Sequence, residues 1–354
     1  MSLPLAPTYG EQLGASPLEL AAMVAGFFLG RAATWIPSGV MIRKLGPRPS
    51  ILIGVVLLTV SAVVWGAVRT PCHLILACVL QGAGLGLYTI SLVGLLSIST
   101  DEGNRGRAFG ILSLAMVLGL FIGPLLGGLL AHVSGVQAPF ASLTGICAVS
   151  FLLALKIRVG DGRGNTTPSP AVEVLSVSAY RSSWWPIGIS NLLFTAGLGM
   201  TITLFPIFGA KHVEGGIAFV GAAYAAGALS VLVLWPFLSR VRFTDRVLAA
   251  GVFSLAVQPL SVVFSTSPWV LASAFFLGGV GLFCYFHTER SARADVRLGS
   301  DLGGAAGALA AVCLWQSISM RASFLAEAVL LIIAGLLILV RSRETRPRIS
   351  PPAE

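Results

Sequence analysis

Arg31 is the one basic residue set well inside an apolar run of this chain. An ionisable group at that depth in hydrocarbon marks a functional site by default, facing a cavity or a partner helix. A guanidinium keeps its proton at any physiological pH. Arg31 can therefore attract an anionic group or pair with a carboxylate, but it cannot hand on a proton. It also lies seven residues before Ser38, about 10 Å from the nearer end of its run, within a stretched side chain's reach of the surface. The uncharged candidates are Gln81, Tyr88, Asn191, Thr195 and Tyr224, hydrogen-bonding side chains set singly among apolar ones. Asn191 and Thr195 are four apart and share a helix face. A few such groups in an apolar cavity suit an amphipathic organic ligand. Gln81 suits an interhelical hydrogen bond equally well, worth about 0.6–2 kcal/mol in a membrane.

Carboxylates are scarce. None occurs between Glu19 and Asp101, and Glu19 and Glu327 stand near the ends of apolar runs, where an interfacial place is expected. No nucleophile elbow, phosphate loop or HExxH is present, so no enzyme is indicated. Cys72, Cys78, Cys147, Cys284 and Cys313 lie in or beside apolar runs without metal-type spacing. They read as small hydrophobes, and neither a metal nor a cofactor is called for.

The elements that must carry these groups are membrane helices. Of 354 residues 56% are hydrophobic and 10% charged, with mean hydropathy +0.89. That composition makes an all-α polytopic membrane protein. Eleven segments approach the ~20 residues that cross a bilayer: near 17–38, 48–68, 72–98, 107–133, 137–157, 183–208, 216–239, 247–264, 268–288, 303–320 and 322–340. If the loop holding Arg43, Lys44 and Arg48 faces the cytoplasm, alternation puts all but four of the 23 basic residues inside; the four are Arg31, Arg69, Lys211 and Arg321. This positive-inside bias places the amino terminus outside a cytoplasmic membrane and the carboxyl terminus inside. It also accounts for the net charge of +9 without a nucleic-acid partner.

A polar stretch of glycine, proline, serine and threonine separates two groups of segments. Residues 1–158 form an amino-terminal bundle, 159–182 a cytoplasmic linker with a short surface helix at Val172–Ser178, 183–341 a second bundle and 342–354 a tail. Asn165 heads a nominal glycosylation sequon, but on the inside. Arg105–Gly110 and Gly303–Gly307 each open a segment in a similar way, a weak internal echo.

The most distinctive stretch is Gly119-Leu-Phe-Ile-Gly123-Pro124-Leu-Leu-Gly127-Gly128. Glycines at every fourth position make a bare stripe against which a neighbouring helix can pack, and Pro124 bends the helix. The pattern G-x-x-x-G-P-x-x-G-G resembles the antiporter motif on the fifth helix of major facilitator superfamily exporters. The loop with Gly39, Arg43, Lys44, Gly46 and Arg48 resembles that family's G-x-x-x-D-R-x-G-R-R motif, with Arg43 in place of its acidic residue. Arg43 is then either one more cytoplasmic charge or a lock that needs another carboxylate, such as Asp101 or Glu102. Gln81-Gly82 resembles the family's R-x-x-Q-G, with Cys78 at the arginine position, which removes a residue assigned to proton coupling.

The resemblance implies a two-bundle fold that moves a small molecule by alternating access, most like the multidrug-exporter branch. A coupling proton and the lipid bilayer are the further partners it brings. Residues 3–16 resemble the external loop after the family's first helix. The chain would then be an eleven-helix protein, a fragment of a twelve-helix one, or one read from an internal methionine. Uptake of a sugar or other metabolite, and a non-transporting remnant or sensor, are the other readings.

Overall fold

The computed structural model describes residues 3–156, 185–238, 245–291 and 294–344. The expected linker with its surface helix, the Asn165 sequon and most of the tail lie outside them. The described residues are helical throughout, apart from turns.

A 3-10 turn at Leu3–Leu5 leads into the short α1, Ala6–Gln12. Eleven long helices follow: α2 Pro17–Leu45, α3 Pro47–Gly66, α4 Pro71–Ser99, α5 Glu102–Ser134, α6 Ala138–Leu155, α7 Trp185–His212, α8 Gly216–Leu238, α9 Asp245–Phe264, α10 Pro268–Ser291, α11 Ala294–Ser317 and α12 Met320–Glu344. Ten of them are long and apolar enough to cross a membrane, and Pro268–Leu282 adds a shorter apolar stretch within α10. The molecule is a multi-pass membrane protein.

Local chemistry sets several boundaries. Proline occupies the first turn of α2, α3 and α4, where its missing N–H is no loss. Ser16 and Glu19 form a reciprocal capping box at the start of α2. Gly46, with φ +88°, makes the turn from α2 into α3, a conformation that favours glycine.

Two groups of helices pack internally. In the first, α2 lies on α4, and α3 on α4 and α6; in the second, α7 lies on α11 and α12, α9 on α10 and α12, and α8 on α10. The groups meet where α2 crosses α11 and where α5 lies along α8, and α5 packs more closely on α8 than on α4 or α6.

Two expectations from the sequence are corrected. Residues 3–12, read as an external loop, are a turn and short helix with Leu5, Ala6 and Tyr9 fully or nearly buried. Tyr9 stacks on Phe140 at 5.0 Å, Phe140 stacks on Trp65 at 4.4 Å, and Glu11 pairs with Lys211 of α7. The element touches α2 and α4 on one side and α7 and α8 on the other. The segment expected to begin near 303 begins at Ala294, nine residues earlier. Charged Asp301 lies inside that helix because it has a partner there.

Candidate functional site

The α2–α4 contact is a backbone contact. A Cβ on Gly30 would overlap the Val79 carbonyl, and one on Gly82 the Phe27 carbonyl. The same device joins α7 and α11, where Gly199, Gly303 and Gly307 face Gly304, Leu192 and Ala196. Small residues let apolar helices approach this closely when lipid offers no hydrophobic drive. The close packing fixes Arg31 on α2 and Asp301 on α11 in register across the two bundles.

Arg31 stands at the midpoint of the 29-residue α2. Its Nε donates to Asp301 Oδ1 at 2.6 Å, and its Nη2 forms an ion pair with the same oxygen. Trp35 Nε1, one turn along α2, donates to Asp301 Oδ2. Asp301 is fully buried and Arg31 is 17% exposed. The guanidinium also lies 5.9 Å from the Phe27 ring centroid and 5.6 Å from that of Phe28. Both carboxylate oxygens are thus bonded and the cation is flanked by aromatic faces, the conditions that make a buried pair tolerable. The contact stretches along α11: Phe28 covers Gly304, and Leu298 packs on the cluster of Ala32, Trp35 and Ile90.

Two more of the sequence candidates reach the same stretch of α11 from the second bundle. Asn191 Nδ2 donates to Ser300 Oγ, the residue beside Asp301. Thr195 is buried, donates to the Asn191 carbonyl at 2.8 Å, and lies against Gly303. Residues 300–304 therefore collect Arg31 and Trp35 from one bundle and Asn191 and Thr195 from the other.

The remaining candidates lie elsewhere. Gln81 is half-buried next to Gly82, at the α2–α4 contact. Tyr88 packs with Ile51, Val55 and Leu95 between α3 and α4. Tyr224 sits in the second bundle, its hydroxyl 3.4 Å from the Thr201 carbonyl and its ring edge-on to Phe205 and Phe275.

On α5 the contact with α8 runs through Val117, Pro124 and Gly128. A Cβ on Gly128 would come within 2.9 Å of Gly221 Cα, and Val117 clusters with Val231. Gly127 is buried, Gly123 half-buried, and Gly119 exposed with nothing within 4 Å of an added Cβ. At 100° per residue Gly119 lies well round the helix from Pro124 and Gly128, so the close contact takes the proline side of the motif and not the Gly119 end.

In the loop, Gly39 is buried and Arg43 and Lys44 stand exposed in the last turn of α2, where positive charge suits the helix dipole. Arg48 donates to the Leu155 carbonyl at 3.1 Å, tying α3 to α6. Among the described residues neither Arg43 nor Lys44 forms an ion pair; the charge contacts between the bundles are the buried Arg31–Asp301 and the more exposed Glu11–Lys211.

Sequence reasoning missed Asp301, Trp35 and Glu327. Asp301 had a signal: a lone arginine in hydrocarbon needs a carboxylate, and Asp301 is two residues before Gly303-Gly304. Glu327, expected at an interface, is 1% exposed and accepts a hydrogen bond from Thr201. It stands seven residues into α12, about 10 Å along it.

Two groups of apolar helices meeting along two helix pairs, with a buried polar contact between them, is the architecture of a two-bundle membrane transporter. Residues 1–292 match the family model described as Major Facilitator Superfamily. The chain belongs to that superfamily. Among curated relatives, the quinolone resistance protein NorA of Staphylococcus aureus (strain Mu50) is 23% identical over 288 residues, covering 79% of this chain and 73% of that protein. The MFS-type transporter MJ1560 of Methanocaldococcus jannaschii is 26% identical over 212 residues, covering 58% and 55%. Among solved structures, a POT family transporter in complex with 5-aminolevulinic acid superposes with a TM-score of 0.76 at 13% identity, covering 97% of this chain and 95% of that one. A point mutant of the nucleoside transporter NupG gives 0.73 at 14% identity, covering 96% and 94%. The likeness to these structures is one of fold.

Proposed function

We propose that this chain exports a small organic compound by alternating access, and that the α2–α11 contact held by Arg31 and Asp301 opens and closes during the cycle. The observation that carries the reading is the buried ion pair joining the two bundles at the middle of α2. A pair of this kind holds one arrangement firmly and gives it up when a ligand's own charge replaces one partner. An anionic group on the compound would compete with Asp301 for Arg31, with Asn191 and Thr195 as the nearby hydrogen-bonding groups. Residues 1–158 and 183–341 act as the two rocking bodies, joined by 159–182. The orientation is amino terminus outside and carboxyl terminus inside a cytoplasmic membrane, as the basic residues favour.

Export over uptake rests on the G-x-x-x-G-P-x-x-G-G pattern of α5 and on the similarity to quinolone resistance proteins. The experiment is transport in cells expressing the full chain, loaded with a fluorescent quinolone or with ethidium. Faster loss of at least one compound than from cells expressing Asp301→Asn supports export. Faster accumulation would favour the uptake reading, and no movement of either compound would favour a non-transporting role.

A further inference from the structure

The second bundle holds a carboxyl group that the inter-bundle site does not use. Glu327 is 1% exposed on α12. Its Oε1 accepts a hydrogen bond from Thr201 Oγ1 of α7, while Oε2, also buried, has no hydrogen-bond partner. Buried polar atoms are paired in the great majority of cases, so an unpartnered one requires an explanation. The described ion pairs are Arg31–Asp301 and Lys211–Glu11, so no described cation neutralises Glu327. A lone carboxylate inside a membrane bundle is expensive and marks a site where a charge is taken up or moved.

The surroundings narrow the ligand. Thr201 is 6% exposed, and Tyr224, which donates to the Thr201 carbonyl, is enclosed by Phe205 and Phe275, at 0% and 3%. Packing this close suits neither an organic compound nor a hydrated ion. A proton needs no room, and it cancels the charge.

We propose that Glu327 is a proton-binding site within the second bundle. A hydronium ion gives its proton to Oε2 and leaves as water, the buried carboxylate becomes a neutral acid, and Thr201 holds the other oxygen. No bond in the protein breaks, and the local charge goes from negative to zero. The one titratable side chain at the site from a neighbouring helix is Tyr224 of α8. On the other described elements packed against α12, the titratable groups with described side chains stand away from it. Lys211 and His212 close the end of α7 that packs beside the start of α12, through Phe208 and Phe324, and are ten and eleven residues past Thr201, about 15 Å along the helix. Asp245 and Arg246 are at the start of α9, Asp301 is paired with Arg31, and Cys313 of α11 is exposed. On α12 itself, Arg321 precedes Glu327 by six residues. The group that titrates is thus separate from the Arg31–Asp301 pair, whose arginine cannot release a proton.

The inference goes beyond the export reading, and its test needs no substrate. The full-length protein is reconstituted in lipid, and the carboxylic-acid C=O stretch is followed by infrared difference spectroscopy from about pH 5 to about pH 10. The expected result is a pH-dependent acid band that disappears in Glu327→Gln. A spectrum with no such band, or a band unchanged in Glu327→Gln, would overturn the proposal. If Glu327→Gln does not fold, Thr201→Val serves. Loss of the hydroxyl moves the band's midpoint by about half a pH unit, roughly threefold in proton affinity, while Thr201→Ser leaves it in place. An unmoved midpoint in Thr201→Val would equally overturn it.

Discussion

Arg31 and Asp301 are 270 residues apart in sequence, yet the Arg31 Nε hydrogen bond to Asp301 Oδ1 measures 2.6 Å and joins the two helix bundles. Removing one partner strands the other charge in a buried site, which costs about 3–5 kcal/mol. Replacing both with apolar residues strands nothing. Arg31→Met and Asp301→Leu are therefore expected each to lower stability, with the double variant less destabilised than the sum by about 1–3 kcal/mol. Thermal unfolding of the detergent-solubilised proteins gives the comparison, and additive losses would show that the pair is not coupled.

Gly119 and Gly128 lie in one motif but in different surroundings. Gly128→Leu drives a side chain into Gly221 and the Ile217 carbonyl, and is expected to disrupt the α5–α8 contact and abolish transport. Gly119→Leu meets no described atom and is expected to leave folding intact. Size-exclusion profiles and transport of the two variants make the test, and equal damage from both would contradict the assignment of the contact to the Pro124–Gly128 side.

Much of the fold was legible in the sequence because apolar length and loop charge are one-dimensional signals. Helices α2 to α10 fall close to the segments expected from hydropathy. Pairings across the bundles are not one-dimensional. Asp301 looked like loop because a carboxylate ends an apolar run, and only Arg31 on a distant helix makes it tolerable inside one. The end of α12 nearest Glu327 looked like an interface for the same reason, until Thr201 supplied a partner. The glycine motif told that close packing occurs on α5, but not which side of a 100° periodicity meets α8. Tyr9 and its neighbours, polar enough to pass for a loop, are covered because they lie between two bundles.

Tyr9 is 3% exposed and stacked on Phe140, whereas Lys211 and Glu11 of the nearby ion pair are 53% and 28% exposed. Tyr9→Ala opens a cavity and is expected to lose several kcal/mol, about 3–5 for a buried aromatic residue. Glu11→Gln removes a water-screened pair and is expected to lose no more than about 1 kcal/mol. Hydrogen exchange over residues 3–16 reads the difference directly: rapid exchange in Tyr9→Ala with near-native protection in Glu11→Gln.

The proposed orientation rests on the distribution of basic residues among the loops. A cysteine placed at Ser2 is expected to react with an impermeant maleimide from outside intact cells, and one at Ser350 only after the membrane is opened. Labelling of both from the same side would contradict an odd number of crossings.

In the proposed cycle the two bundles separate at the α2–α11 contact during transport. Phe28 lies directly over Gly304 in that contact. In a background without native cysteines, the pair Phe28→Cys and Gly304→Cys can be cross-linked by oxidation, and efflux of the transported compound followed before and after reduction. The expected result is that the cross-link stops efflux and that reduction restores it, while either single cysteine variant is unaffected by the oxidant. Undiminished efflux from fully cross-linked protein would contradict the claim.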